Sequence, residues 1–219
     1  MPQAPQQARS RRTLERITNA ALAIVAERGA EEATVQDIVR RARSSVGSFY
    51  SRFSGKDELM TYLQERIWDD ALDRWTQVLG EQEPPPNLSA GIAQVVTALL
   101  ADREGHRLRR HAFPTSNGDA SVDSIRRFRA GVFNLVRNRV RPFEHGIVHP
   151  EPTLAIDLGF LAAVGLLDQV DGDALLELEE EALAAELERV YLAYLTGGLG
   201  SGTGEGEDPQ FADPFDVWT

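Results

Sequence analysis

Between Thr34 and Phe53 the apolar residues recur twice at helical spacing, with a short polar break between the two runs. Val35, Ile38, Val39 and Ala42 stand at i, i+3, i+4 and i+7, and Val46, Phe49, Tyr50 and Phe53 repeat that interval. Side chains so spaced share one helical face, so the segment predicts two short amphipathic helices joined by a tight turn. Thr34 and Asp37 have the spacing of a capping box, which fixes the first start. Ser44 and Ser45 are good N-cap types for the second helix. Helices this short do not persist alone in water, so the pair requires a larger helical body to pack against.

The outer face of the second helix carries Ser44, Ser45, Gly47, Ser48 and Ser51, flanked by Arg43, Arg52 and Lys56. Small side chains permit close approach to a duplex, hydroxyls bond base edges or phosphates, and cations neutralise phosphate charge. The pattern suits a recognition helix laid in a major groove. The competing reading is a surface helical hairpin with a chance run of serines.

Net charge is −11, which argues against a general nucleic-acid coat, but the charge is segregated. Residues 1–56 carry ten basic and five acidic side chains, residues 103–141 ten and three, and residues 142–219 one and seventeen. A basic N-terminal quarter can dock on phosphate while the acidic remainder confines contact to one face. There are no cysteines, hence no disulfide, thiol nucleophile or Cys-based zinc site. No apolar run approaches the ~20 residues of a membrane span and Met1 to Ser10 lacks an apolar signal region, so a cytoplasmic protein with no membrane contact is expected.

Residues 1–8 are expected to be disordered, leading to a basic arm at Arg9, Arg11 and Arg12. A helix from about Thr13 to Arg28 should end at Gly29. Ser54 and Asp57 form a second capping pattern opening a helix through about Leu79. Pro84 to Pro86 break the chain, and a helix restarts at Asn87 or Ser89 and runs to about Asp102, with Gly105 as its stop. His106 to Ala112 reads as a short basic helix and Asp119 to Arg141 as a long one with Val122, Ile125, Val132, Val136 and Val140 inward. Residues 153–167 are almost uncharged and dotted with glycine and alanine, so this helix should be buried. Residues 175–195 form a last acidic helix. The broad apolar faces of these two helices suggest a two-fold homodimer interface, against burial within one subunit. Residues 197–219 read as a Gly-rich linker and an acidic tail.

The segment Ala20 to Gly29, followed by Thr34 to Ile38, Arg41, Ala42, Ser45, Gly47, Phe49, Tyr50, Phe53 and Lys56, resembles the TetR family of bacterial transcriptional regulators in order and spacing. The resemblance covers about a fifth of the chain. It implies an all-α protein: an N-terminal three-helix helix-turn-helix domain (1–55), and a larger helical ligand-binding and dimerisation domain (56–196). The tail occupies 197–219. It further implies a homodimeric repressor, released from a double-stranded DNA operator by a small-molecule effector. Positions matching Thr34, Ser45, Val46, Ser48, Tyr50 and Lys56 meet DNA in the family. With the residues read directly, the candidate DNA-binding set is Thr34, Arg43, Ser44, Ser45, Val46, Gly47, Ser48, Tyr50, Arg52 and Lys56. Arg43 replaces the family's turn glycine, Ser44 its apolar turn residue, and Val46 a commonly polar recognition position, where it suits a thymine methyl.

No P-loop, H-E-x-x-H or G-x-S-x-G pattern is present, so no catalytic residue, cofactor or enzyme activity is assigned. His145 and His149 sit in a proline-flanked loop where their spacing confers no shared face, so no metal site is assigned. Trp68, Leu72, Trp75, Phe113, Phe128, Phe133 and Phe160 are candidates for an apolar effector pocket, the alternative being plain core. The basic stretch Arg103 to Phe113 with Arg126 to Arg129 suits the entrance for an anionic effector, a carboxylate or acyl-coenzyme A. The preferred reading is that these arginines pair with acidic neighbours. The rival to a regulator is a helical interaction module with degenerate DNA binding, for which Arg43, Ser44 and Val46 speak.

Overall fold

A computed structural model of the protein describes residues 4–112, 119–172 and 178–198. Its first helix, α1 (Ala4–Arg28), stops where Gly29 takes a left-handed φ of 86° and returns its N–H to the Val25 carbonyl at 2.8 Å. Helix α1 starts well before Thr13, so Arg9, Arg11 and Arg12 lie on helical turns and the expected disorder is not found from Ala4 onward. Helices α2 (Val35–Arg41) and α3 (Val46–Tyr50) follow as the spacing predicts. Thr34 caps α2, its Oγ1 accepting the Asp37 N–H at 3.1 Å; the Asp37 carboxylate accepts a hydrogen bond from the Thr34 hydroxyl at 2.8 Å rather than from a backbone N–H.

Helix α4 (Lys56–Gly80) begins after Gly55, which makes no side-chain cap bond. The Ser54 and Asp57 pattern is thus not the cap that forms. Glu58 reaches back instead and accepts the Ser54 N–H at 2.5 Å. Leu59 and Leu63 of α4 join a first core with Ile17, Ile24, Ile38, Phe49 and Phe53, so its opening turns pack as part of the N-terminal domain. Trp75 and Leu79, farther along, join a second core.

That second core is built by α5 (Leu88–Ala101), α7 (Asp119–Val140), α8 (Pro152–Gly172) and α9 (Glu180–Thr196) around the end of α4. Asn87 caps α5 through the Ala90 N–H at 2.9 Å. Gly105 does not stop a helix. It lies inside α6 (Arg103–Ala112), which starts directly after Asp102. Val122 is 41% exposed, not inward, whereas Val132, Val136 and Val140 are buried as predicted. A 3-10 segment (Arg141–Gly146) links α7 to α8. Leu175, Leu176, Phe113 and the tail from 199 onward lie outside the described residues.

Helix α8 corrects two expectations. It is long and apolar enough, by length and composition, to cross a membrane. Yet Ala155, Ile156, Phe160, Ala163 and Leu167 are buried in the protein core, and Asp157 holds Arg137 of α7 at 2.8 Å. It is also not buried all round: Leu154, Leu158, Leu161 and Leu166 are each more than 40% exposed. Close approach explains only one of its glycines. A Cβ on Gly159 would run into the Tyr191 ring, whereas one on Gly165 meets nothing within 4 Å.

Tyr191 is fully buried and donates its hydroxyl to the Ile156 carbonyl at 2.7 Å, so its ring cannot retreat without breaking that bond. Burial, and then the Asp157 charge, push its hydroxyl pKa upward. Gly159→Ala should therefore cost about 1–3 kcal/mol by overpacking. In thermal unfolding this appears as a Tm lowered by roughly 2–12 °C, whereas Gly165→Ala should leave Tm unchanged or slightly raised.

Candidate functional site

Helix α3 is oriented by Phe49, which is fully buried, leaving Val46 49% and Tyr50 55% exposed on the opposite side. Ser45 is its N-cap: the backbone is extended and Oγ accepts the Ser48 N–H at 3.0 Å while donating to Ser48 Oγ at 2.9 Å. Both hydroxyls face outward with Val46 and Gly47. A Cβ on Gly47 would meet only Ser45 Oγ, at 4.0 Å, so nothing within the fold demands a glycine there. Its smallness keeps the outer surface of α3 low. Tyr50 leans edge-on against Phe49, with ring centroids 5.3 Å apart, which anchors the base of an otherwise exposed side chain.

The turn before α3 closes α2 by two bonds, Arg43 N–H to the Arg40 carbonyl at 3.1 Å and Ser44 N–H to the Val39 carbonyl at 2.9 Å. This is a Schellman closure, which needs a left-handed residue just past the cap. That residue is Arg43, with φ 47°. A β-carbon costs roughly 1–2 kcal/mol in this conformation, so Arg43 is tolerated against backbone preference. The next position ordinarily contributes an apolar contact to such a closure. Ser44 occupies it, and its Oγ is buried with no partner among the described residues. Ser44 is therefore turned into the motif rather than onto the outer face.

Arg52 and Lys56 are partly engaged already. Arg52 donates to the Ser48 carbonyl at 2.7 Å and to Ser10 Oγ at 3.1 Å, tying the start of α1 to the end of α3. Exposed Arg9, Arg11 and Arg12 flank that tie. Lys56 Nζ donates to the Glu31 carbonyl at 2.8 Å, and Thr34 stands exposed at the head of α2. Sequence reasoning missed Arg16 and Asn19. With Arg41 and Arg43 they line an open recess of about 490 Å³ beside the turn. Arg41 is neutralised there by Glu27, at 2.6 and 2.7 Å, and that bond holds the Glu27 carboxyl below its usual range. Arg16 and Arg43 remain as the recess's cations. Only the apolar stripe of α1 carried signal in the sequence; the side on which Arg16 falls depends on how α1 crosses the motif.

In the helical domain, five of the seven aromatic and apolar candidates surround one cavity of about 180 Å³: Trp68, Trp75, Phe128, Phe133 and Phe160. Leu72 does not line it; its side chain covers Gly131 of α7. Phe113 lies outside the described residues. The cavity also presents Asp102, His106 and Arg129. Asp102 is buried and pairs with buried Arg109, receives the Trp75 indole N–H at 3.2 Å, and has Arg74 at 3.6 Å. The Arg109 guanidinium lies over Trp68 and Phe128, 5.1 and 5.2 Å from the ring centroids. Neighbouring arginines are also paired: Arg103 with Asp171, Arg110 with Asp168, Arg126 with Asp123, Arg127 with Asp69; the His106 imidazole also contacts Asp168. Most of the basic stretch thus pairs with acidic neighbours. Arg107 and Arg129 are exposed and carry no such partner among the described residues.

The family described as "Bacterial regulatory proteins, tetR family" matches residues 17–63, the span from α1 into α4. A Bacillus subtilis (strain 168) protein named "Uncharacterized HTH-type transcriptional regulator YvdT" is 35% identical over 60 residues, covering 27% of this chain and 31% of that protein. The chain therefore matches less than a third of that relative's length. Solved structures share the fold across most of the chain. A TetR-like transcriptional regulator from Rhodococcus sp. RHA1 superposes with a TM-score of 0.62 at 19% identity, over 84% of this chain and 96% of that one. The transcriptional regulator FadR from Bacillus subtilis, in complex with stearoyl-CoA, superposes with a TM-score of 0.57 at 18% identity, over 84% and 98%.

The left-handed Arg43 yields a test that separates fold from contact. Arg43→Gly should leave thermal stability unchanged or raise it by up to about 1 kcal/mol, since glycine accepts this φ freely. It should weaken binding to every duplex alike, with a log-affinity versus log-salt slope shallower by about one per protomer. Fluorescence anisotropy across a salt series reads both effects.

Proposed function

We propose, for a chain that belongs to the TetR family of bacterial regulatory proteins, that it is a cytoplasmic DNA-binding transcriptional regulator: a homodimeric repressor released from its operator by a small-molecule effector. The observation that carries the reading is the outward face of α3. Ser45, Val46, Gly47, Ser48 and Tyr50 stand clear of the core on a helix fixed by buried Phe49, with Arg43 and Lys56 at its edges. Such a low, hydroxyl-rich face rimmed by cations fits a major groove. Ser44 leaves the proposed contact set, its hydroxyl being buried. Thr34 and Arg52 stay in it as supports at the ends of the motif. A degenerate interaction module is the weaker reading, because Arg43 adds a cation to the turn without breaking its closure.

The homodimer is proposed through α8 and α9, within the interface read at 153–167 and 175–195. Leu154, Leu158 and Leu161 repeat at i, i+4 and i+7 and are exposed together on α8. A row of this kind on a helix whose other side is core favours an isologous contact. The effector is proposed to occupy the aromatic cavity. Helix α6 links that cavity to the motif: Leu108 packs on the N-terminal core, and its neighbour Arg109 pairs with Asp102 in the cavity wall. Arg66 of α4 adds a bond to Thr18 of α1 at 3.1 Å.

Purified protein should bind DNA flanking its own coding region with an affinity that falls steeply as salt rises. Tyr50→Ala should weaken that binding without changing thermal stability. Equal weak binding of both proteins to every duplex would overturn the reading. Leu154→Glu with Leu158→Glu should convert the dimer to a monomer in sedimentation equilibrium and sharply reduce affinity for a two-half-site duplex.

A further inference from the structure

The cavity in the helical domain limits what it can hold by size, shape and charge. We propose that it takes a compact planar aromatic acid, a single ring carrying one carboxylate, with the ring between Trp75, Phe128 and Phe160 and the carboxylate directed to Arg129. This rests on the effector reading above and deepens it.

Size comes first. A cavity of about 150 Å³ lined by apolar side chains holds benzene, and this one measures about 180 Å³. It matches one ring with a short substituent. A stearoyl chain of the kind bound by the Bacillus subtilis FadR is far larger than this space. Shape agrees, because the walls are ring faces and edges: Trp75 and Phe133 each meet Phe160 at close to a right angle, 5.6 and 5.7 Å between centroids. Flat π-systems pack well against such walls.

Charge decides between acid and base. An aromatic chamber with a carboxylate on its wall invites a cationic ligand, and Asp102 is on the wall. That carboxylate is spent. It already holds Arg109, Trp75 Nε1 and Arg74, and the Arg109 guanidinium already covers the faces of Trp68 and Phe128 that a ligand cation would use. His106 at the rim is held by Asp168, to which Arg110 also binds. What remains without a partner at the cavity, among the described residues, is Arg129, a planar donor fork matched to a carboxylate.

The test is a titration of the purified protein with phenylacetate, phenethylamine, ethylbenzene and stearoyl-CoA, followed by isothermal calorimetry and by quenching of tryptophan emission. Phenylacetate should bind best, and Arg129→Gln should weaken it about tenfold while leaving ethylbenzene unaffected, the loss of one charge-assisted contact. Arg107→Gln, an exposed unpaired arginine off the cavity, should leave phenylacetate affinity unchanged. Tighter binding of phenethylamine or of stearoyl-CoA overturns the assignment, as does an Arg129→Gln variant that binds phenylacetate like the parent. DNA affinity of the ligand-free protein is measured separately. Retention of the flanking DNA without any response to the acids sinks the ligand class alone. Binding of phenylacetate by a protein that holds no DNA upholds the ligand class and sinks the regulator reading.

Discussion

Two hydrophobic cores share one helix, and everything else in the fold is arranged around that sharing. Leu59 and Leu63 lock the start of α4 among α1, α2 and α3, and Trp75 and Leu79 lock its end among α5, α7 and α8. At 1.5 Å per residue its 25 residues span about 37 Å, so the two sets of contacts are separated by most of a rigid rod. The buried side chains of the two cores form separate clusters. An α-helix with its backbone bonds satisfied transmits tilt far more readily than it bends. The orientation of the motif relative to the larger domain is therefore set by how α4 lies, and by α6, the second element packed on both sides.

At the junction stands a buried ion pair whose surroundings explain several residues at once. Moving Asp102 and Arg109 out of water is costly; the carboxylate is well satisfied, by the guanidinium, the indole N–H and Arg74, while the guanidinium lies on ring faces and keeps its buried Nε without a hydrogen-bond partner among the described residues. Gly105 makes the arrangement possible. A Cβ there would come within 2.8 Å of Asp102 Oδ1 and 3.0 Å of an Arg109 nitrogen. What looks like a helix stop in the sequence is clearance for two buried charges. Removing Asp102 strands the Arg109 guanidinium and costs about 3–5 kcal/mol in such settings, so the pair is part of the frame around the cavity.

Periodicity and caps made the motif and most helices legible in the sequence. Thr34, Asn87 and Gly29 announce their roles by type and position, and the buried valines of α7 announce theirs by interval. The failures share a cause: they turn on which neighbour arrives. Gly105 is indistinguishable from a C-cap until Asp102 and Arg109 are seen to close over it. Ser54 and Asp57 satisfy the pattern of a cap, but Glu58 wins the donor. Val122 follows the interval of α7 past the point where its partners end. Five of the seven sequence candidates line the cavity because large aromatics gather where helices diverge, whereas Arg129 differs from its paired neighbours only through where α7 places it. Ser44 was read outward from composition; the closure of the turn points it inward.

A ligand shifts an equilibrium only by the difference in its affinity for two arrangements, and couplings of about 1–3 kcal/mol are typical of allosteric proteins. For the proposed regulator we place that difference at α6. Leu108 and Arg109 are consecutive on it, one against the motif's core and the other in the cavity wall. Close-packed interiors yield by switching between arrangements rather than by stretching. A ring entering between Trp75, Phe128 and Phe160 presses on Phe128, on which the Arg109 guanidinium is stacked; Arg109 cannot shift without Asp102, and α6 moves with both. Leu108 then shifts in the other core, against α1 and the start of α4. The same pair that makes the cavity wall expensive to disturb is what makes a small ligand's disturbance travel.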